Sequence, residues 1–523
     1  MYKLLKILLF NSLLLVAGNL HAQFTADTLH SILRNKKYDG TYDDKSFSAI
    51  LSFYSAVNYK TIWFDLKSAN NRNIFFDELK LAAYMGLREK DYQYALIASL
   101  KNGSAKFLTL ADSLEAEIQM TAAALHFYSD IAYGNTMPDI AYKGLIDMPL
   151  CNDVPALLAR FIYSKNLIAL SSYLSSPLLE ITVMQSKIKW FTNQLSNSSF
   201  DELIINSDKA SASNKVLVSK LYQLGFVNDT INSLPDSVIS QYIKQAQLQF
   251  GLLVDGKLSN ATLHQLNITL LERLHALNLS INYYRWLSCF SQSRSVIVVN
   301  IPAAYLKVYN QQKVQLEMKI IVGKKSTPTP TLLSTVNEVV LYPYWHVPYS
   351  IATKEILPKL KRSASFIDAG NYQVLNKAGN IINPYSVKWR ALSTKYFPYT
   401  IRQSTGCDNA LGLLKLNFNS PAGVYLHDTP NKKLFSLNKR FLSHGCMRMQ
   451  NPTALGHLVL KNNSIAIDTL TQKGCLLNQA PIFVRATDPM TVLVWYNPAG
   501  IDAYGNLLFF EDVYGKFNWS KKN

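Results

Sequence analysis

The segment GVYLHDTPNKKLFSLNKRFLSHGCMRMQNPTAL contains the residue types from which nucleophilic acyl transfer can be built. Cys446 offers a sulfur, and a sulfur reacts as thiolate; with a free pKa near about 8.5, little of it is ionised at neutral pH, so a basic neighbour is needed. His427, at the end of a strand carrying Val424 and Leu426, can take that proton and later give it to an amine. Ser443-His444-Gly445-Cys446 reads as a tight turn. Gly445 tolerates backbone conformations closed to other residues and keeps space clear beside the sulfur. The amides of Gly445 and Cys446 are expected to face a developing oxyanion, a contribution of about 3–4 kcal/mol per donor in acyl-transfer enzymes. Arg448 has the side-chain parity of Cys446 in an extended segment, so it can hold a substrate or pin the loop. Asn451-Pro452 is a good helix start, with Asn as cap and Pro in the first turn.

Two other readings compete for the same residues. A histidine at a strand end is usually a core residue, but His427 is followed by His444 and Cys446. A zinc site built from His427, Asp428, His444 and Cys446 is the sharper rival. Asp428, however, follows His427 directly and would point to the opposite strand face, and no His pair at i, i+4 completes the set. The expectation is a metal-free, cofactor-free site.

The elements that must position these residues change along the chain. From about Phe24 to Asn214 the pattern is helical; Phe76, Leu79, Ala83 and Leu87 recur at helical spacing. Between Val216 and Trp286 come shorter helices: Ile239, Ile243, Ala246 and Phe250 share a face, Asp255-Gly256 marks a turn, and Asn260 can cap a helix carrying Leu263 and Leu266. After Arg294 the period becomes two, and Asn310-Gln311 separates two strands as a hairpin would. Helix-like IATKEILPKLKRS and polar turns interrupt the strands from about Tyr349 to Pro398. That interruption reads as an inserted subdomain whose basic helix, with Lys354, Lys359, Lys361 and Arg362, could lie over the site as a lid. The fold class expected is multidomain α+β: a helical N-terminal scaffold, a small three-helix module and a β-rich catalytic domain with an inserted lid. The boundaries expected are 1–22 for a leader, 23–215, 216–286, 292–487 with the insertion at 349–398, and a C-terminal aromatic segment at 488–523.

Composition limits the partners. Lys3 and Lys6, the apolar run from Ile7 to Gly18 and the small residue before Gln23 form a secretory signal peptide. Its apolar run is shorter than the roughly 20 residues a bilayer span needs, so no stable membrane span is expected after cleavage, and the periplasm is the expected location. A net charge of +18 over 523 residues favours an anionic partner. No nucleic-acid motif is present, so wall polymer or a membrane surface is the expected anion. Five cysteines (Cys151, Cys289, Cys407, Cys446 and Cys475) leave an odd thiol in an oxidising compartment. The four other than Cys446 could pair in three ways or stay reduced.

At His427 and Ser443-His444-Gly445-Cys446-Met447-Arg448 the sequence resembles the L,D-transpeptidase (YkuD-type) family, whose signature is a His and, after a loop, Ser/Thr-His-Gly-Cys with Arg or Asn two places on. VVLYPYWHVPYSIATKEILPKL, IRQSTGCDNALGLLKLNF, VYLHDTP and the aromatic stretch ending FFEDVYGK resemble the large periplasmic members of the YcbB kind in order. QLQFGLLVDGKLSNATLHQLN resembles the peptidoglycan-binding repeat of wall enzymes. The resemblance implies Cys446 as acylated nucleophile and His427 as base, with Ser443, His444, Gly445 and Arg448 lining the pocket and Tyr425 nearby. Members of the long subgroup often carry Ser where this chain has His444, which leaves His444 a helper at most. No family role is known for Cys407 in its pocket-edge loop. The implied reaction is release of D-Ala from a peptidoglycan stem, a thioester on Cys446, and a 3→3 crosslink to a neighbouring stem, by a monomer. Water as acceptor would make an L,D-carboxypeptidase, and an inert wall-binding protein is the alternative of a different class.

Overall fold

The computed structural model describes residues 26–35, 41–64, 69–102, 104, 109–145, 151–205, 214–228 and 234–517. The expected leader and its cleavage point lie outside these residues. Among the described residues, no single helix is long and apolar enough to cross a membrane.

The molecule is α+β, with helices in the N-terminal half and a sheet-rich C-terminal half. The N-terminal helices surround a core of Phe53, Tyr54, Trp63, Phe75, Phe127 and Tyr128. The helix Leu110–Tyr133 runs through it, opened by a capping box between Thr109 and Asp112. The expected face of Phe76, Leu79, Ala83 and Leu87 is only partly a helix. The helix Ala69–Lys80 ends before Ala83, and a 3₁₀ turn, Ala82–Met85, follows and stops at Gly86 in the left-handed region. That change of pitch buries Ala82 and exposes Ala83.

In the next segment the Asp255-Gly256 turn forms, held by the Gln247 side chain, which accepts from both the Asp255 and Gly256 amides. The helix there starts one residue earlier than expected. Ser259 caps it by accepting from Thr262 N, and Asn260 is the first helical residue. The helix Leu270–Gln292 is buried at every position from Ser280 to Ser291, so that stretch has no solvent face. It joins the two halves: Arg285 donates to Met85 O at 2.7 Å and Asn282 to Gly86 O at 3.1 Å, while Ser280 donates to Asn497 Oδ1 at 2.6 Å.

The large sheet closes on itself. Its strands run in the order Leu332–Leu341, Leu414–Phe418, Leu426–His427, Met447–Met449, Lys313–Gly323, Tyr305–Asn310, Val296–Asn300 and Ile482–Trp495, and the last pairs again with the first. Closure removes the free edges that an open sheet would present. Inside lie Ile297, Val299, Leu306, Val308, Ile320, Val339, Leu416, Leu426 and Met447. The hairpin turn is one residue later than expected: Asn310 pairs with Lys313, and Gln311 and Gln312 take the positive φ values of a two-residue turn.

Residues 345–403 carry a core of their own, including Val347, Ile356, Leu360, Trp389 and Phe397, and a four-stranded sheet. Their helical segment widens to π geometry over Ala352–Ile356. Pro358 explains the change, because it has no amide to continue the i→i−4 ladder.

Candidate active site

Strand register assembles the site. Leu426–His427 lies parallel to Met447–Met449, with Leu426 opposite Met447 and His427 opposite Arg448. Antiparallel Leu414–Phe418 lies on the other side, with Lys415 opposite His427. Because side chains alternate along strands and directly paired residues share a face, Lys415, His427 and Arg448 project to the outside of the closed sheet. Tyr425 and Cys446 precede them on the same side, tied by a Met447 N to Tyr425 O bond of 3.0 Å. Leu414, Leu416, Leu426, Met447 and Met449 turn the other way, into the core.

The nucleophile candidate is the one free thiol. Cys151 is joined to Cys289 and Cys407 to Cys475, so the structure selects one of the three pairings open from sequence, and Cys446 stays unpaired and half-buried. Cys407 thus ties its loop to the segment just after the helix Ile465–Lys473. Burial pushes the Cys446 thiol up. Tyr425 and the charges of Lys415 and Arg448 oppose that only in part, so the thiol stays above its ordinary value. The Tyr425 side chain is close enough to the sulfur to help lower the thiol, and its ring meets the His427 ring edge-on at 5.6 Å between centroids.

His427 is buried, and its Nδ1 lies 2.5 Å from the carbonyl oxygen of Asp428. A carbonyl only accepts, so Nδ1 carries the hydrogen and Nε2 keeps its lone pair. Burial, the Arg448 guanidinium and, less strongly, the ammonium groups of Lys415 and Lys432 hold His427 down to about 3, against an opposing pull from the Asp428 carbonyl. The imidazole is therefore neutral at physiological pH, as a base must be. The Asp428 carboxylate faces away from the ring. It accepts from Leu413 N at 2.9 Å and pairs with Lys432 at 2.5 Å.

The turn before Cys446 is tightly braced. Gly445 has φ +118°, which disfavours any side chain there. Ser443 Oγ donates to Cys446 O at 2.6 Å and accepts from Gly445 N at 3.1 Å. Thr329 Oγ1 donates to Gly445 O at 2.8 Å. The Gly445 amide is consequently engaged, unlike the expectation that it would face an oxyanion. The Cys446 amide has no partner among the described residues. His444 points outward and bonds Glu355 of the 345–403 unit, Nε2 to Oε1 at 2.8 Å. Arg448 has a buried Nε with no hydrogen-bond partner, a donor available to a bound ligand.

Three contributors had not been marked in the sequence. Lys415 sits 4.0 Å from the centre of the Tyr425 ring. Buried Arg440 pins the loop after His427 by donating to Leu437 O at 2.8 Å and Ala304 O at 3.0 Å. Tyr514 accepts from Thr329 N at 3.2 Å and donates to Gly323 O at 2.5 Å, bracing the segment that holds Gly445. No short motif signals any of the three; an alternating strand position was the available hint for Lys415 alone. A cleft of about 700 Å³ opens beside Tyr425, with Lys415, Glu338, Asn417 and Arg485 in its walls.

Residues 294–467 match the family model of the L,D-transpeptidase catalytic domain, YkuD. Residues 48–176 match a scaffold domain, and residues 213–266 match a family described as a candidate peptidoglycan binding domain. In chain order, the segments similar to known families are thus a scaffold domain, a candidate peptidoglycan binding domain and the YkuD L,D-transpeptidase catalytic domain. Over 224 residues the chain is 38% identical to a Haemophilus influenzae protein described as a candidate L,D-transpeptidase. The match covers 42% of this chain and 44% of that relative, so it spans less than half of the relative's length. Among solved structures, an L,D-transpeptidase from Mycobacterium smegmatis is 16% identical over 38% of this chain and 58% of its own, with a TM-score of 0.17. An Enterococcus faecium L,D-transpeptidase mutant is 14% identical over 39% and 50%, with a TM-score of 0.16. Superpositions at these scores carry no geometry over to this chain.

Proposed function

We propose that the protein is a peptidoglycan L,D-transpeptidase that forms 3→3 crosslinks through a thioester on Cys446. The observation that carries this reading is one unpaired, half-buried thiol on the same outer sheet face as a histidine whose Nε2 lone pair is free. In the first half-reaction His427 takes the thiol proton as Cys446 Sγ attacks the carbonyl before the terminal D-Ala of a stem. The C–N bond breaks, and D-Ala leaves with the proton returned by His427. In the second, an amine of a neighbouring stem attacks the thioester, His427 accepts its proton, and the thiolate leaves and is reprotonated. The Cys446 amide and the Tyr425 hydroxyl are the donors nearest the sulfur for the oxyanion, and Ser443 and Gly445 hold the turn that presents it. Arg448, with an unused buried donor, suits a stem carboxylate or carbonyl. His444 acts from outside this cluster, through Glu355.

The division at 23–215, 216–286 and 292–487, with the insertion at 349–398 as a lid, belongs to the same reading. So do export to the periplasm, a monomeric state and wall polymer as the anionic partner of a +18 chain. Stem tetrapeptides incubated with the purified protein and weighed as products test it. Crosslinked dimers and free D-Ala are expected; tripeptides alone would make the protein an L,D-carboxypeptidase, and unchanged substrate would leave an inert wall-binding protein.

A further inference from the structure

We infer that Lys415 is a positioning residue for the nucleophile: its ammonium, stacked on the Tyr425 ring on the same sheet face as the thiol and the imidazole, fixes the ring beside the sulfur and favours the thiolate. The inference rests on Cys446 being the nucleophile. Three observations support it. The strand register puts Lys415 directly opposite His427 on the face that carries Cys446. Its Nζ lies 4.0 Å from the Tyr425 ring centre, within the range where a cation is held by the ring face. Tyr425 in turn is tied to the residue after Cys446 by the Met447 N to Tyr425 O bond, so a ring held by Lys415 is a ring held beside the sulfur. Lys415 is half-buried and has no carboxylate bonded to it among the described residues, leaving its charge to act on the site. Burial lowers its affinity for its own proton, and the Cys446 thiolate and Glu338 oppose that.

Other charged groups surround the sulfur. Arg448 and His444 lie on its own segment, Tyr425 and His427 on the neighbouring strand, Glu355 behind His444, and exposed Lys324 and Lys325 on the loop that braces Gly445. Lys432 is already paired with Asp428. Lys415 differs from the other cations in lying over the face of the Tyr425 ring. The same charge, with that of Arg448, keeps His427 neutral. One cation therefore favours both halves of the pair: sulfur as thiolate, imidazole as base.

Alkylation of the full-length protein by iodoacetamide across pH tests the inference, since Cys446 is the one thiol outside a disulfide. Lys415→Met keeps the stem and removes the charge. It should slow alkylation at pH 7 about tenfold and displace the profile to higher pH, while Lys415→Arg restores it. Thermal unfolding confirms that each variant folds, and Lys415→Gln makes the same comparison where Met is not tolerated. An unchanged profile in the uncharged variant would overturn the inference. So would a Lys415→Arg protein as slow as Lys415→Met, because packing rather than charge would then be responsible. D-Ala release from a stem tetrapeptide, followed in parallel, separates the two levels. Alkylation that responds to Lys415 in a wild type releasing no D-Ala refutes the proposed function and leaves the inference standing; D-Ala release with an unresponsive thiol does the reverse.

Discussion

At the scale of single residues, the chemistry depends on how a buried imidazole and a half-buried thiol share protons. Burial alone would keep both neutral, and the cations around them lower both groups, opposing burial at the thiol and reinforcing it at the imidazole. With His427 held down to about 3, its protonation should not remove activity anywhere between pH 5 and 8. The rate of Cys446 acylation should rise with pH across that interval without an acid limb near 6.5, and His427→Ala should reduce it on the order of 10²–10⁴-fold. A limb near 6.5 in the pH–rate profile would contradict the geometry around Nε2. Linkage gives the sign for stability. A histidine kept neutral in the fold but titrating normally when unfolded costs stability as pH falls from about 6.5 toward 3, because only the unfolded chain takes up the proton. Cys446, His427 and Arg448 were legible in the sequence because they lie within one short stretch whose spacing is itself informative. Lys415 and the amide of Gly445 were not. The first acquires its neighbours from strand register, and the second is engaged by a hydroxyl two residues away whose rotamer no pattern announces.

At the scale of elements, the nucleophile turn is held by parts of the chain distant in sequence. Gly323, Thr329 and Tyr514 form a relay from the C-terminal segment to Gly445. Removing the Tyr514 hydroxyl leaves the Gly323 carbonyl and the Thr329 amide without that partner, at about 1–2 kcal/mol. Tyr514→Phe should therefore lower the midpoint of thermal unfolding by a few degrees and slow Cys446 acylation several-fold, measured by scanning calorimetry and stopped-flow. A variant matching wild type in both would show that the relay is not needed. The helical half, the hairpin and the helix capped by Asn451 were legible from periodicity and caps. Boundaries shifted where local geometry overrode period: at Ala82–Met85, where the helix tightens, at Ser259, and at Gln311-Gln312. The contact between His444 and Glu355 was not legible, since it joins the nucleophile turn to an insertion whose docking no periodicity records.

At the scale of the whole molecule, the closed sheet gives the site a rigid floor, and the helix Leu270–Gln292 fastens that sheet to the N-terminal helices. The Cys151–Cys289 disulfide fixes the same helix to the segment that follows Leu110–Tyr133. Which cysteines pair was decided by this packing and so was not readable from their positions along the chain. The consequence is a single thiol left free in a protein suited to an oxidising compartment, and the account makes it the one covalent carrier. Intact-protein mass spectrometry of the full chain, quenched during turnover of a stem tetrapeptide, measures this directly. One added mass equal to the stem lacking its terminal D-Ala is expected, mapped to Cys446 and missing in Cys446→Ala; an acyl group on another residue, or one that survives in Cys446→Ala, would contradict a thioester on Cys446.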